Sequence, residues 1–171
     1  DIQITARQAP GERILMNVSV TTRPDQWKSG GLILPVFSDV SALKELGALG
    51  PLDWLKQSPA FADHGGAAGE LTLCHAPGVR RSARAREIGR VMAVGLGKRQ
   101  DFTLETFRES MAKAIRVLRE KKIATPALLL PHTEWLAGQL GMDLVRLVEE
   151  SVLGALLPAY SFDEYRSKDK A

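Results

Sequence analysis

Residues 90–130 read RVMAVGLGKRQDFTLETFRESMAKAIRVLREKKIATPALLL, and this stretch decides the fold. Arg90 to Leu96 is an apolar run of strand length running into Gly95-Leu96-Gly97. Thr103 is a helix-capping residue type. Behind it Leu104, Phe107, Met111, Ala114, Ile115 and Leu118 recur every three or four residues, which places one apolar stripe on a helix. Thr125 to Leu130 (TPALLL) is the next strand. A strand, a long amphipathic helix and a second strand make a crossover, and crossovers join parallel strands. Asp143 then opens a second helix through Leu144, Leu147, Val148, Val152, Leu156 and Leu157, which Pro158 ends.

Upstream of this unit the strands are shorter. Ile2 to Thr5 alternates apolar and polar residues, and Arg13 to Val20 (RILMNVSV) is rich in branched side chains. Thr22 to Gly30 carries Pro24, Asp25, Ser29 and Gly30 and reads as a turn. Gly31 to Phe37 (GLILPVF) is a continuous apolar run, as in a strand covered on both faces. Pro35 has no ladder donor, so the strand is expected to be irregular or near an edge there. Ser41 can cap a short helix, Leu52 to Lys56 reads as a helical turn, Ala62 to Gly69 as a flexible loop, and Glu70 to Ala76 (ELTLCHA) as a strand. The expected fold is therefore α/β, a mixed, mainly parallel sheet sandwiched between helices.

Composition agrees with one globular domain. The 171 residues can bury a core without staples, and 44% apolar with 25% charged residues is ordinary for a folded protein. Cys74 is the only cysteine, so no internal disulfide forms. No apolar run approaches the roughly 18 residues of a membrane span, and no membrane partner is expected. The net charge of +3 permits nucleic-acid contact without arguing for it.

The residues that carry chemistry do not assemble along the chain. Gly95-Leu96-Gly97-Lys98 follows a strand and precedes a helix, but a phosphate loop needs glycine where Met92 stands and Ser or Thr where Arg99 stands. A dinucleotide fingerprint needs glycine at Gln100. The two glycines are better read as letting the chain turn after the strand. His64, His75 and His132 are far apart, and Cys74 and His75, as strand neighbours, point to opposite faces. No Ser lies in a nucleophile elbow. No catalytic or metal residue is assigned. One charge cluster remains: Arg80, Arg81, Arg84, Arg86 and Arg90. A solvated loop or hairpin extension between two strands is the favoured reading. The alternative is an anion or nucleic-acid contact, without aromatic residues for base stacking.

The order of these pieces resembles the N-terminal domain of the leucine aminopeptidase family (cytosol aminopeptidases). GLILPVF at 31–37 is similar to the family's early strand, which ends in P-V-F. Phe61 to Glu70 resembles a loop in which a Phe precedes G-x-x-G-E, with Ala68-Gly69-Glu70 matching its end. VMAVGLGK at 91–98 resembles the V-G-L-G-K strand and turn, placing Gly95, Gly97 and Lys98 as structural motif positions. VLGALLPAYSFDEYRSK at 152–168 resembles G-x-x-L-x-x-Y-x-F-D-x-Y-K-S-K, with Tyr160, Phe162, Asp163 and Tyr165 matching and Arg166 in place of Lys. The stretch from Arg80 to Gly89 departs from the pattern, being longer and richer in arginine.

The resemblance implies a macro-domain-like three-layer fold over 1–160, with 161–171 as a connector toward a C-terminal catalytic domain. It implies that the two metal ions, zinc or manganese, and the catalytic residues lie in that other domain, around an N-T-D-A-E-G-R stretch this chain does not contain. No cofactor is expected in the present domain. Implied partners are the catalytic domain and, in the full-length cytoplasmic enzyme, the other subunits of a hexamer. The implied role is assembly or regulation. Macro-domain relatives also suggest a binding module for ADP-ribose-like nucleotides, for which Asp63-His64-Gly65-Gly66 is the only loose counterpart of a phosphate loop.

Overall fold

The computed structural model describes residues 2–6, 16–20, 31–40, 50–77, 88–123, 126–130 and 133–156. They form six strands: β1 (Ile2–Ala6), β2 (Met16–Val20), β3 (Gly31–Val36), β4 (Leu71–His75), β5 (Arg90–Gly95) and β6 (Pro126–Leu128). The helices are α1 (Pro59–Ala62), α2 (Leu104–Glu120), α3 (Thr133–Gln139) and α4 (Leu144–Leu156), with 3-10 helices at Gly50–Gln57 and Arg99–Asp101. The expected Thr22–Gly30 turn and Ser41 helix lie outside the described residues.

All six strands join one sheet in the order β2-β1-β6-β3-β5-β4. Its centre is parallel: β3 pairs with β6 on one side and with β5 on the other, Leu32 opposite Val91 and Val36 opposite Gly95. Its flanks are antiparallel, β1 with β2 and β6, and β4 with β5. The mixed sheet with a parallel core follows from the crossover between β5 and β6 through α2.

Side-chain alternation divides two apolar layers. Ile33, Met92, Val94 and Leu128 face one side, where Phe107, Met111, Ala114, Ile115 and Leu118 of α2, Leu136 of α3 and Leu147 of α4 pack on them. Leu32, Leu34, Val36, Val91 and Ala93 face the other, against Leu52, Leu55 and Phe61. Helices on both faces make the expected three-layer sandwich. The helix starts are capped as the sequence indicates: Thr103 Oγ1 accepts from the Thr106 N–H at 3.1 Å, and Asp143 Oδ1 from the Arg146 N–H at 2.7 Å.

Pro35 stands in a central strand, not near an edge. The Leu129 N–H donates to the Ile33 carbonyl at 3.0 Å, so Ile33 faces β6. Two residues on, the Pro35 nitrogen faces that way too. The Val36 carbonyl faces β5 and accepts from the Leu96 N–H at 2.8 Å. The missing donor thus falls just beyond the end of β6, where no ladder bond is needed. Proline is tolerated because its neighbour is only three residues long.

Candidate functional site: the carboxyl ends of β3 and β5

β3 and β5 are parallel neighbours whose onward connections part company. The chain after β3 passes through residues 50–62 on one face of the sheet, whereas the chain after β5 enters α2 on the other. Such a divergence leaves a crevice outside the carboxyl ends of the two strands, and open α/β sheets hold their ligands there.

Here the crevice is filled by the protein's own loop, residues 63–70. The Gly97 N–H donates to the Gly66 carbonyl at 2.9 Å, the Gly69 N–H to the Gly95 carbonyl at 2.9 Å, and the Gly95 N–H to the Glu70 carbonyl at 2.8 Å. The Ser38 N–H donates to the Gly97 carbonyl at 2.9 Å, which ties the two strand ends together. Contact is backbone to backbone. A Cβ on Gly95 would lie 1.9 Å from the Ala67 carbonyl oxygen, and one on Gly66 (φ 71°) would lie 2.9 Å from the Ser38 nitrogen. Only glycine permits that approach. The loop expected to be flexible is therefore fixed at both ends.

Glu70 holds the loop in shape. Its carboxylate accepts from the Gly65 N–H at 3.1 Å and from the Ala67 N–H at 3.0 Å. Partial burial pushes its pKa up, but the donors of Gly65 and Ala67, the His64 ring and the Gly66 N–H outweigh that and bring it below the usual value. His64 completes the arrangement. Its ring is 1% exposed, with Nδ1 2.9 Å from Thr72 Oγ1 and 3.4 Å from Glu70 Oε1. Burial lowers the imidazole pKa below its ordinary value, against the opposing pull of Glu70. With a carboxylate beside Nδ1, the favoured neutral tautomer carries its proton there. Nε2 then keeps a buried lone pair, with no hydrogen-bond partner among the described residues.

The rim beyond the loop is a cation stacked on rings. The Arg99 guanidinium lies 5.5 Å from the Phe37 ring centroid and 4.9 Å from that of Trp135, while its backbone N–H donates to Asp39 at 3.2 Å. Phe37 meets both Phe102 and Trp135 edge to face beneath it. This joins the ends of β3, β5 and α3.

Of the motif positions read from sequence, Gly95 ends β5 against the loop, Gly97 (φ 78°) turns the chain, and Lys98 is exposed at the start of the short 3-10 helix. Tyr160, Phe162, Asp163 and Tyr165 lie outside the described residues, as do Arg80, Arg81, Arg84 and Arg86. Arg90 pairs across the ladder with His75, at the opposite end of β5 from the crevice. Cys74 is buried, and burial pushes its thiol pKa up despite the Ser58 hydroxyl, whereas His75 is exposed. The two strand neighbours thus point to opposite faces, as expected. Among the described residues no three His, Cys, Asp or Glu side chains converge to hold a metal ion, and no helix is long and apolar enough to cross a membrane.

Sequence reasoning missed the His64–Glu70–Thr72 node. Glu70, just before β4, and Thr72 within it stand at alternate positions and so on one face, which was the available signal. The return of His64 onto that face depends on α1, a helix too short to read.

A mixed sheet with a parallel centre and helices on both faces is the macro-domain type of fold. The macrodomain of Mycobacterium tuberculosis DarG superposes on 82% of this chain and 89% of its own with a TM-score of 0.53 at 15% identity. The bottromycin maturation enzyme BotP, solved in complex with Mn, superposes on 81% of this chain and 25% of its own with a TM-score of 0.51 at 23% identity. These likenesses establish the fold. The family follows from sequence: residues 52–169 match the model of the cytosol aminopeptidase family, N-terminal domain, and the chain belongs to that family. It is 35% identical over 146 residues to a probable cytosol aminopeptidase of Oleidesulfovibrio alaskensis, covering 85% of this chain and 26% of that protein. It is 35% identical over 149 residues to one of Nitratidesulfovibrio vulgaris, covering 82% and 27%. The chain thus spans about a quarter of the length of these relatives.

Proposed function

We propose that this chain is the non-catalytic N-terminal domain of a metal-dependent leucyl aminopeptidase, acting in assembly of the enzyme or in control of access to it. The observation that carries the reading is the filled crevice. The place where this fold would hold a ligand is closed by residues 63–70 through backbone hydrogen bonds, in a chain that matches an N-terminal family model and about a quarter of its relatives' length. On this reading residues 1–160 form the domain and 161–171 the connector. Zinc or manganese is held by the domain that follows, and the full-length protein is a cytoplasmic hexamer that removes N-terminal residues from peptides. The same filled crevice counts against an ADP-ribose-like ligand, which would have to displace the loop.

The test compares the full-length gene product with a version lacking residues 1–156. Loss of the hexamer by sedimentation, or a changed preference for peptide length with leucine amide hydrolysis retained, supports the reading. A truncated enzyme of unaltered assembly and unaltered peptide preference would overturn it.

A further inference from the structure

Among the residues whose side-chain burial is described, which leaves out β1 and β2, the large apolar side chains that stand exposed all belong to one helix. Leu144 is 53% exposed, Val145 68% and Leu153 42%, all on α4. Isolated exposed apolar residues are ordinary, but their confinement to one element is not. The inward face of α4 is complete without them: Leu147, Glu150, Ser151 and Gly154 are buried at helical spacing. Val148 and Val152 are half-buried against the core on the flank of the helix, and Leu144, Val145 and Leu153 continue the apolar surface outward from them. The contrast with α2 is direct. The exposed face of α2 carries Glu105, Glu109, Lys113 and Arg116, as a face meeting water should. On the outward half of α4 the charges are Arg146 and Glu149, and they pair with each other at 3.1 Å. A partner covering this helix would meet apolar surface with its charges already partnered, the make-up of an interface core with a polar rim.

We infer that the outward face of α4, centred on Leu144, Val145 and Leu153, is the surface on which the following domain of the same polypeptide docks. The inference rests on the proposed function, since it requires such a domain. The relatives are about four times as long as the matched segment, and the matched model is that of an N-terminal domain. α4 is the last described element, the one nearest in sequence to a domain that follows. Tethering supplies a high effective concentration, so that a modest apolar patch suffices where two free proteins would need a larger one.

Thiol labelling tests this. Cys74 is buried, so V145C provides the fast-reacting thiol, and E105C on the exposed face of α2 is the control. Maleimide labelling of V145C is expected to be about tenfold or more slower in the full-length gene product than in the 171-residue chain, because the thiol reacts only when the interface opens. The control should label at equal rates in both. Equal rates for V145C in both proteins would overturn the docking while leaving the proposed function standing. A gene product with no following domain would overturn both. Slow labelling already in the 171-residue chain would also overturn the inference: dependence on protein concentration would assign the face to a second copy, and independence to the chain's own remaining residues.

Discussion

His64 shows how a single ring couples the loop to pH. Its folded-state pKa is lowered by burial from an ordinary value of 6.5. The unfolded chain therefore takes up a proton at a higher pH than the native one. The contribution of the neutral ring is fully present above pH 6.5 and is lost as pH falls from there through the folded pKa. Glu70, also lowered, loses its contribution in the same direction further down, below its ordinary value of 4.5. Urea unfolding from pH 7.5 to 5 should show stability declining below 6.5 and a shallower decline in H64Q. Identical slopes in the two proteins would mean that the ring is not held neutral. Glycine gives a second residue-scale prediction. G95A places a methyl group against the Ala67 carbonyl and should cost about 1–3 kcal/mol. G138A, in α3 with nothing within 4 Å of the new Cβ, should gain up to about 1 kcal/mol. The opposite signs, read by thermal unfolding, separate close backbone approach from general helix preference.

At the scale of elements, α2 and α4 are joined by one buried carboxylate between two arginines. Glu150 is 1% exposed. Its Oε2 accepts from Arg108 Nε at 2.8 Å and from Arg108 Nη2, and its Oε1 lies 2.7 Å from Arg146 Nη2. Each arginine alone still neutralises the carboxylate, and both guanidiniums are partly in water, so R108A and R146A should each cost little. The double variant leaves a buried charge unpaired and should lose about 3–5 kcal/mol, more than the sum of the two. Additive losses in a double-mutant cycle would show that Glu150 is solvated after all. The sequence spelled out both helices through their period and caps, because apolar spacing is local information. The ion cluster was illegible because Arg108 and Glu150 meet only across the helix packing. α3 was missed because its seven residues hold too few turns to show a period. Pro35 misled because local chemistry reports a missing donor but not which neighbour that donor would face.

For the whole molecule, the crossover through α2 fixed the parallel centre of the sheet, and the motif order 31–37, 61–70, 91–98 and 152–168 pointed to the family. Both were readable without coordinates. The closure of the strand-end crevice was not, because a Gly- and Ala-rich stretch reads as loose until Gly66 and Gly95 are seen against other backbone. On the proposed reading, that closure, in a chain matching an N-terminal domain, keeps the family's chemistry out of this domain. The most direct measurement is hydrolysis of leucine p-nitroanilide by the purified 171-residue chain with manganese or zinc added. No release above the metal-only blank is the predicted result. Saturable, metal-dependent release that follows the folded protein through purification would contradict the account.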